Sequence, residues 1–215
     1  MKRHLELFSG THSFGKVSSK IGYEVISLDR DLGAECPFKS GYKSKNHIKE
    51  DIMTWNYKQY PPNYFYIITA SPSCFYWSPM RKSWIGRKCK TIHPTEVITK
   101  EHIQKDIDKF GKPMVDKVFE ILDYFDPNYY IVENPKLGSM KDYINNLIPF
   151  IDVDYCRYGF EYKKPTRFWT NINFEGLKCN HKKHSQNTHS NGGGSNRLPR
   201  YVIPQKLIES IFEKI

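Results

Sequence analysis

Two apolar segments, NYFYIITAS and YYIVENP, constrain the fold of this chain more than any other feature. Each is typical of a buried strand, and a segment with apolar residues at helical spacing, Pro113 to Pro127, lies between them. Earlier in the chain, LELFSG and YEVISLD are shorter strands separated by a helical segment, THSFGKVSSKIG. This alternation predicts an α/β fold with an open, mostly parallel sheet flanked by helices and ligand sites at the carboxyl ends of its strands.

The size and charge of the chain limit what it can be. Its 215 residues are enough for one well-packed domain, or for one domain with a small appendage. The formal net charge of +10 favours a polyanionic partner, and nucleic acid is the commonest such partner. A basic surface that serves only solubility is the alternative.

Cysteine usage and hydropathy indicate the compartment. The 5 cysteines are odd in number and lack the spacing of paired motifs, which favours free thiols in a reducing environment. No apolar run approaches the roughly 20 residues of a membrane helix, and the N-terminal MKRHLELFSG lacks the apolar segment of a secretory signal. We therefore expect a cytoplasmic or nucleoid-associated protein without membrane contact; its oligomeric state stays open.

Glycine and acidic residues follow three successive strands. Gly10 follows the first strand, Asp29 ends the second, and Asp51 lies in a third short unit, HIKEDIMTW. In a doubly wound sheet these ends lie side by side, where a glycine allows close approach of a ligand and an acid can bind ribose hydroxyls. The order predicts a nucleotide-type cofactor, whereas the missing G-x-G-x-x-G pattern argues against a dinucleotide. Taken singly, each residue is equally typical of a turn or a solvated loop acid.

Cys74 and Glu133 each follow or end a buried strand. A thiolate that adds to C6 of cytosine makes C5 able to attack an electrophilic methyl group, while an acid holds the base through N3 and the exocyclic amine. The base is out of reach inside a duplex, so such an enzyme flips it out. The pair is therefore typical of cytosine-5 methyl transfer. A buried inert thiol and a structural strand-end acid are the alternatives.

Six segments, in order along the chain, resemble the motifs of DNA cytosine-5 methyltransferases, especially the compact forms of phages and large viruses. They are LELFSGTHSFGKV, EVISLDRD, EDIMTW, SPSCFYWS, IVENPKLGSM and YGFEYKKPTRFWTN, and they extend roughly from Leu5 to Asn171. The resemblance implies a Rossmann-like methyltransferase fold, S-adenosyl-L-methionine as the cofactor, and DNA with a flipped-out cytosine as the partner.

The same resemblance assigns site residues. The implied catalytic residues are Cys74 as nucleophile, Glu133 as the acid that holds the base, and Lys164 and Arg167 near the base or its phosphate. The implied cofactor residues all come from the first three motifs: Phe8, Gly10, Thr11, Ser13, Asp29, Asp51 and Ile52. Ordinary surface charges are an equal alternative for Lys164 and Arg167.

Three residues depart from the family motifs where the chemistry would take place. His12 stands where a second glycine is usual and could crowd the cofactor, Ser73 replaces a proline, and Phe75 replaces a glutamine. One alternative is therefore a catalytically deficient homologue that binds nucleic acid or serves as an interaction module. Another is an RNA cytosine-5 methyltransferase, which would use the same thiol chemistry.

The chain divides into three expected parts. Residues 1–177 form a catalytic domain, within which residues 78–105 are a long basic loop that would act as a lid over DNA. Residues 178–196 are a polar, histidine- and glycine-rich flexible excursion. Residues 197–215 end in an amphipathic helix that packs back on the domain.

The polar excursion contains a group of metal-type ligands. Cys179, His181 and His184, with His189 as a further candidate, point to zinc, but their spacing is not that of a standard finger and a fourth ligand is not evident. The sequence therefore gives no basis for assigning a metal, and a polar loop with histidines near phosphate is the simpler interpretation.

Overall fold

The computed structural model describes residues 1–31, 33, 42–89, 93–144, 148–182, 184 and 201–215. The strands are β1 (Arg3–Leu7), β2 (Glu24–Leu28), β3 (Asn46–Ile48), β4 (Ile67–Ala70), β5 (Lys88–Cys89), β6 (His93–Val97), β7 (Tyr129–Pro135), β8 (Phe150–Asp154) and β9 (Pro165–Thr170). The α-helices are α1 (Ser13–Lys20), α2 (Lys100–Asp106), α3 (Lys112–Phe125), α4 (Met140–Ile144) and α5 (Gln205–Phe212). A π-helical turn, Ile107–Gly111, joins α2 to α3, and a 3₁₀ turn, Tyr155–Tyr158, follows β8.

Seven of these strands form one sheet in the order β3-β2-β1-β4-β7-β9-β8. The pairs from β3 to β7 are parallel, whereas β9 runs antiparallel to both β7 and β8. The predicted open, mostly parallel α/β sheet is therefore confirmed. Because β1 lies between β2 and β4, the chain leaves β1 first to one side and then to the other, which opens a crevice at the carboxyl ends of these strands.

Helices cover both faces of the sheet, which explains why its central strands are buried on both sides. On one face, Val115, Val118 and Ile121 of α3 join a core cluster with Trp77 and Trp169. On the other face, the apolar stripe of α5 packs in a second cluster with residues of α1. Among the residues described, no helix is both long enough and apolar enough to span a bilayer.

The segment 78–105 differs from the loop that its composition predicts. Its described part contains a 3₁₀ turn at Pro79–Trp84, the β5–β6 hairpin and α2. The Arg81 side chain is 1% exposed and forms an ion pair with Asp106 at the end of α2. His93 Nε2 lies 3.1 Å from the same carboxylate. A buried arginine needs such partners, so this segment is anchored at its centre.

A buried carboxylate sets the start of α1. Glu6 on β1 accepts hydrogen bonds of 3.0 Å from the backbone N–H groups of both Phe14 and Gly15. These are among the first N–H groups of the helix, which lack partners within it. The side chain of Glu6 therefore fills the space beneath the first helical turn. A Cβ atom on Gly15 would lie 2.5 Å from Glu6 Oε2 and 3.1 Å from Val25 Cγ1.

A Gly15→Ala substitution should destabilise the protein, although alanine normally favours a helix over glycine. Overpacking of this kind costs about 1–3 kcal/mol, because the Glu6 carboxylate must move from the helix end. Thermal unfolding would show a midpoint several degrees below wild type. Ser19→Ala, at an exposed position of the same helix, is the matched control and should leave the midpoint nearly unchanged. Equal midpoints for both variants would contradict the role of Glu6.

Candidate active site

A cavity of about 540 Å³ lies along the carboxyl edge of the parallel strands. It is lined by every predicted site residue except Arg167: Phe8, Gly10, Thr11, Ser13, Asp29, Asp51, Ile52, Cys74, Glu133 and Lys164. The strand register explains the convergence, since Leu7 pairs with both Leu28 and Ala70, and Ala70 pairs with Val132. The residues that follow these positions therefore meet at one level of the sheet.

The turn after β1 forms one end of the cavity. Phe8 has a φ of 54° and Gly10 a φ of 44°, so the backbone turns through left-handed conformations. The N–H of Gly10 donates to Asp29 Oδ2 at 2.9 Å, and the N–H of Asp31 donates to Oδ1 at 2.9 Å. These two bonds hold the Asp29 carboxylate in place on the cavity wall, and a carboxylate at this position suits ribose hydroxyls.

Asp51 occupies the adjoining strand end. Its Oδ1 accepts the N–H of Met53 at 2.9 Å, and its Oδ2 accepts from the Arg30 guanidinium at 3.2 Å. Ile52, 4% exposed, supplies an apolar wall beside it. An apolar wall next to a fixed acid and backbone amides suits one edge and one face of a purine.

His12 does not line the cavity, contrary to the concern that it crowds the cofactor. Its backbone has a φ of 53°, a conformation that glycine would adopt without strain. Its ring is fully buried away from the site, with Nε2 2.9 Å from the carbonyl oxygen of Gly33 and Nδ1 3.6 Å from Glu6 Oε2. Burial alone would lower the pKa of His12, but its interactions with Glu6 and Gly33 raise it.

Residues close to the C-terminus complete the end of the cavity that contains Gly10 and Asp29, which nothing in the sequence indicated. Tyr201 and Ile203 line the cavity. The N–H of Ile203 donates to Ser13 Oγ at 3.1 Å, and the Thr11 hydroxyl lies 3.5 Å from the carbonyl oxygen of Tyr201. Thr11 and Ser13 thus join the first motif to the segment that precedes α5.

Three buried polar atoms of residues that line the cavity lack a hydrogen-bond partner among the described residues. They are Glu6 Oε2, which lies 3.6 Å from His12 Nδ1, Ser9 Oγ and Asn134 Oδ1. Buried polar groups are normally paired, so their position at the cavity wall fits a polar ligand. At one end of the cavity, the turn glycine, the anchored Asp29 and Ser9 Oγ together fit the amino-acid and ribose groups of S-adenosylmethionine.

Cys74 lies in the turn after β4, at the other end of the cavity. The turn is tied to β7 by Asn134, whose Nδ2 donates to the carbonyl oxygen of Pro72 at 2.8 Å. Asn134 is 1% exposed, so this bond is shielded from water. Asn134 is therefore the link between two strand ends.

The electrostatic environment of Cys74 is mixed. Burial raises the pKa of its thiol, the positive charge of Lys164 lowers it, and the negative charge of Glu133 raises it again, with a net upward shift. A thiolate is the reactive form of cysteine. Of the two charged neighbours, Lys164 is therefore the one that favours the reactive thiolate form of Cys74.

Two neighbours hold the Glu133 carboxyl group, and one of them, Lys164, also lines the cavity. The Tyr155 hydroxyl donates to Glu133 Oε1 at 3.2 Å, and Lys164 Nζ lies 4.0 Å from the same oxygen. Burial and the charge of Glu133 raise the pKa of Tyr155 well above its usual value, so it stays a phenol that can donate. Tyr155 was missed by sequence reasoning because it lies outside the motifs that resemble the family.

An aromatic pair stands at the side of the cavity near Cys74. The π-helical turn places Phe110 against Tyr76, with ring centroids 5.5 Å apart and an interplanar angle of 24°. Lys109 of the same turn also lines the cavity. Such turns often mark functional sites, and stacked rings next to a basic side chain suit a nucleobase and its phosphate.

Arg167 and Phe75 lie elsewhere. The Arg167 guanidinium binds Asp152 on β8 through two bonds of 2.7 and 3.1 Å and lies 3.6 Å from the centre of the Phe150 ring. Arg167 therefore joins β9 to β8 and is not brought into the cavity. Phe75 packs near Trp84 and Arg81 of the segment 78–105, whereas Ser73 does line the cavity.

Comparisons with known proteins agree on the kind of protein. No family model matches this sequence. Over 233 residues the chain is 32% identical to the "Probable DNA (cytosine-5)-methyltransferase" of Frog virus 3 (isolate Goorha), covering 98% of this chain and 99% of the relative.

Solved structures show the same fold. The methyltransferase EhMeth of Entamoeba histolytica matches with a TM-score of 0.53 and 15% identity, over 86% of this chain and 58% of that one. The Dnmt2 methyltransferase of S. pombe matches with a TM-score of 0.48 and 15% identity, over 83% of this chain and 51% of that one. This chain spans about half the length of the solved structures it matches.

Replacing Lys164 by methionine should raise the pKa of Cys74 further, since the cation that favours the thiolate is lost. Alkylation of Cys74 by iodoacetamide follows the thiolate fraction, so its rate would rise with pH and reach half its maximum at a higher pH than in wild type. Mass spectrometry of the Cys74 peptide measures this rate. The control is Lys163→Met, which removes a neighbouring charge that lies 3.9 Å from Asp154. This variant should leave the pH of half-maximal alkylation unchanged. Equal shifts in both variants would argue against a specific effect of Lys164.

Proposed function

This chain belongs to the DNA (cytosine-5)-methyltransferase family, and we propose that it transfers a methyl group from S-adenosylmethionine to C5 of cytosine in DNA through a covalent bond to Cys74. The observation that carries the proposal is one shared cavity. A nucleophile and its acid, Cys74 and Glu133, lie at one end, and a nucleoside-type site built by Gly10, Asp29 and Asp51 lies at the other.

Cys74 would attack the base. Its sulfur forms a bond to C6 of cytosine, and the electron pair of the C5–C6 double bond moves so that C5 becomes nucleophilic. C5 then takes the methyl group, a base removes the C5 proton, and the electrons of that C–H bond expel the sulfur from C6. Lys164 supports the first step, because its charge opposes the upward shift in the pKa of Cys74 caused by burial.

Glu133 would hold the base during these steps. Its carboxyl group faces N3 and the exocyclic amine of cytosine, and a hydrogen bond at N3 draws electrons into the ring as the sulfur adds. The Tyr155 hydroxyl and the Lys164 ammonium both lie at Glu133 Oε1, at 3.2 and 4.0 Å. They orient the carboxyl group, so Tyr155 acts as a positioning residue.

The other end of the cavity would hold the cofactor. Asp29 would bind the ribose hydroxyls, Asp51 and Ile52 would contact the adenine, and the turn from Phe8 to Thr11 would surround the amino-acid portion. When bound, S-adenosylmethionine supplies an electrophilic methyl group on a sulfonium sulfur. Tyr201 and Ile203 line this end and would contact the bound cofactor.

A cytosine reaches this cavity only outside the double helix, so the base would be flipped out of the stack. The net charge of +10 supports contact with the phosphates. Tyr76 and Phe110 offer a stacked aromatic surface beside Cys74 for the extruded base. The segment 78–105, anchored by the ion pair of Arg81 with Asp106, would close over the DNA as the lid.

The substrate and the nucleophile are tested together by transfer of a labelled methyl group to DNA and to RNA that contain cytosine. Wild type should methylate DNA, whereas Cys74→Ala should lose transfer to DNA entirely. As a control for folding, Cys74→Ala should keep a thermal unfolding midpoint close to that of wild type. Methylation of RNA alone would overturn the assignment of DNA, and full activity of Cys74→Ala would overturn the nucleophile.

The covalent step is tested by trapping. DNA that contains 5-fluorocytosine should form a stable adduct with the wild-type protein in the presence of cofactor, because fluorine cannot leave C5 as a proton does. Glu133→Gln should slow adduct formation by about 10²–10⁴-fold, the range typical of a lost acid–base group. An active wild-type protein that forms no adduct would exclude thiol addition.

A further inference from the structure

A cluster of four metal-type ligands lies outside the active-site cavity. Cys156 comes from the 3₁₀ turn after β8, whereas Cys179, His181 and His184 come from the segment that follows β9. One ligand atom of each residue lies within 4.8 Å of those of the other three. We propose that these residues bind one structural Zn²⁺ ion.

The distances in the cluster suit tetrahedral coordination. Cys179 Sγ lies 3.3 Å from His184 Nε2 and 3.8 Å from His181 Nδ1. Zinc bonds of about 2.3 Å to sulfur and 2.0–2.1 Å to nitrogen place sulfur and nitrogen roughly 3.6 Å apart in a tetrahedron. The two imidazole rings are nearly perpendicular, at 83°, with centroids 5.4 Å apart. They therefore approach a common point from different directions.

The chemistry of the donors favours zinc over other common ions. Two sulfur and two imidazole ligands form a set typical of structural zinc, while magnesium and calcium require oxygen ligands. Two thiolates balance the charge of a divalent cation, so a filled site would be neutral. All four positions come from the protein, which leaves none for water or substrate and makes the role structural.

Other contacts position the ligands independently of a metal. The N–H of Cys179 donates to Asp154 Oδ2 at 2.7 Å, and the N–H of Asp154 donates to the carbonyl oxygen of Leu177 at 3.0 Å. Arg157 also binds the side chain of Asn180. These bonds hold the segment after β9 against the end of β8, so Cys156 faces the other three ligands before any ion binds.

Cys156 supplies the fourth ligand that was not evident from the sequence. Cys179, His181 and His184 provide only three ligands and follow β9, whereas Cys156 precedes β9 in the chain. It is also the neighbour of Tyr155, whose hydroxyl donates to Glu133. A zinc ion would thus stabilise the turn that supports the active site.

Metal analysis of the full-length chain tests the proposal. Protein purified without chelators should contain one equivalent of zinc, and chelator-treated protein should take up one equivalent when titrated with ZnCl₂. Chelation should also lower the thermal unfolding midpoint and make two further thiols reactive, since structural zinc contributes folding energy and protects its ligands. Wild-type protein that neither retains nor takes up zinc would overturn the proposal, as would a Cys156–Cys179 disulfide in freshly purified protein.

Variants locate the ion and separate it from catalysis. Cys156→Ser and His184→Asn should each lose the bound zinc, whereas Cys74→Ser, a cysteine outside the cluster, should retain one equivalent while losing methyl transfer. Retention of zinc by both cluster variants would place the ion elsewhere. Because zinc content is measured without substrate, an inactive protein that binds zinc would contradict only the proposed function. If the cluster variants fail to fold, the reactivity of the wild-type thiols before and after chelation still tests the zinc site.

Discussion

The register of the parallel strands is the constraint on which the rest of this structure depends. Backbone pairing sets Leu7 level with Leu28 and Ala70, and Ala70 level with Val132. Gly10, Asp29, Cys74 and Glu133 come soon after these positions and therefore lie at about the same height of the sheet, although the chain separates them widely. A shift of one residue in any strand would exchange its two faces and remove its contribution to the cavity.

Burial and reactivity oppose each other at the centre of the site. The hydrogen bond from Asn134 to the Pro72 carbonyl draws the Cys74 turn against β7, and burial there raises the pKa of the thiol. The same enclosure strengthens the influence of Lys164, since charges interact more strongly away from water. Burial outweighs the effect of Lys164, so the net shift in the pKa of Cys74 is upward.

The fold and most of the cavity were predictable because they depend on local patterns and on motif order. Apolar runs and helical spacing identify the strands and helices, and the parallel arrangement then brings their carboxyl ends together. The secondary structure within segment 78–105 was not predictable, since its order depends on the buried Arg81–Asp106 pair rather than on hydrophobic periodicity. Arg167 resembled a basic contact near the base, but it faces Asp152 on the neighbouring strand.

Residue types and their order along the chain are enough to establish the family, the sheet and the strand ends that carry Gly10, Asp29, Cys74 and Glu133. The direction of each side chain and the distant residues that contact it depend on how the chain folds. His12 has a left-handed backbone, and its ring does not line the cavity. Cys156, which precedes β9, lies beside three metal-type ligands that follow β9. Such outcomes depend on backbone dihedral angles and on contacts between remote segments, neither of which leaves a periodic signal in the chain.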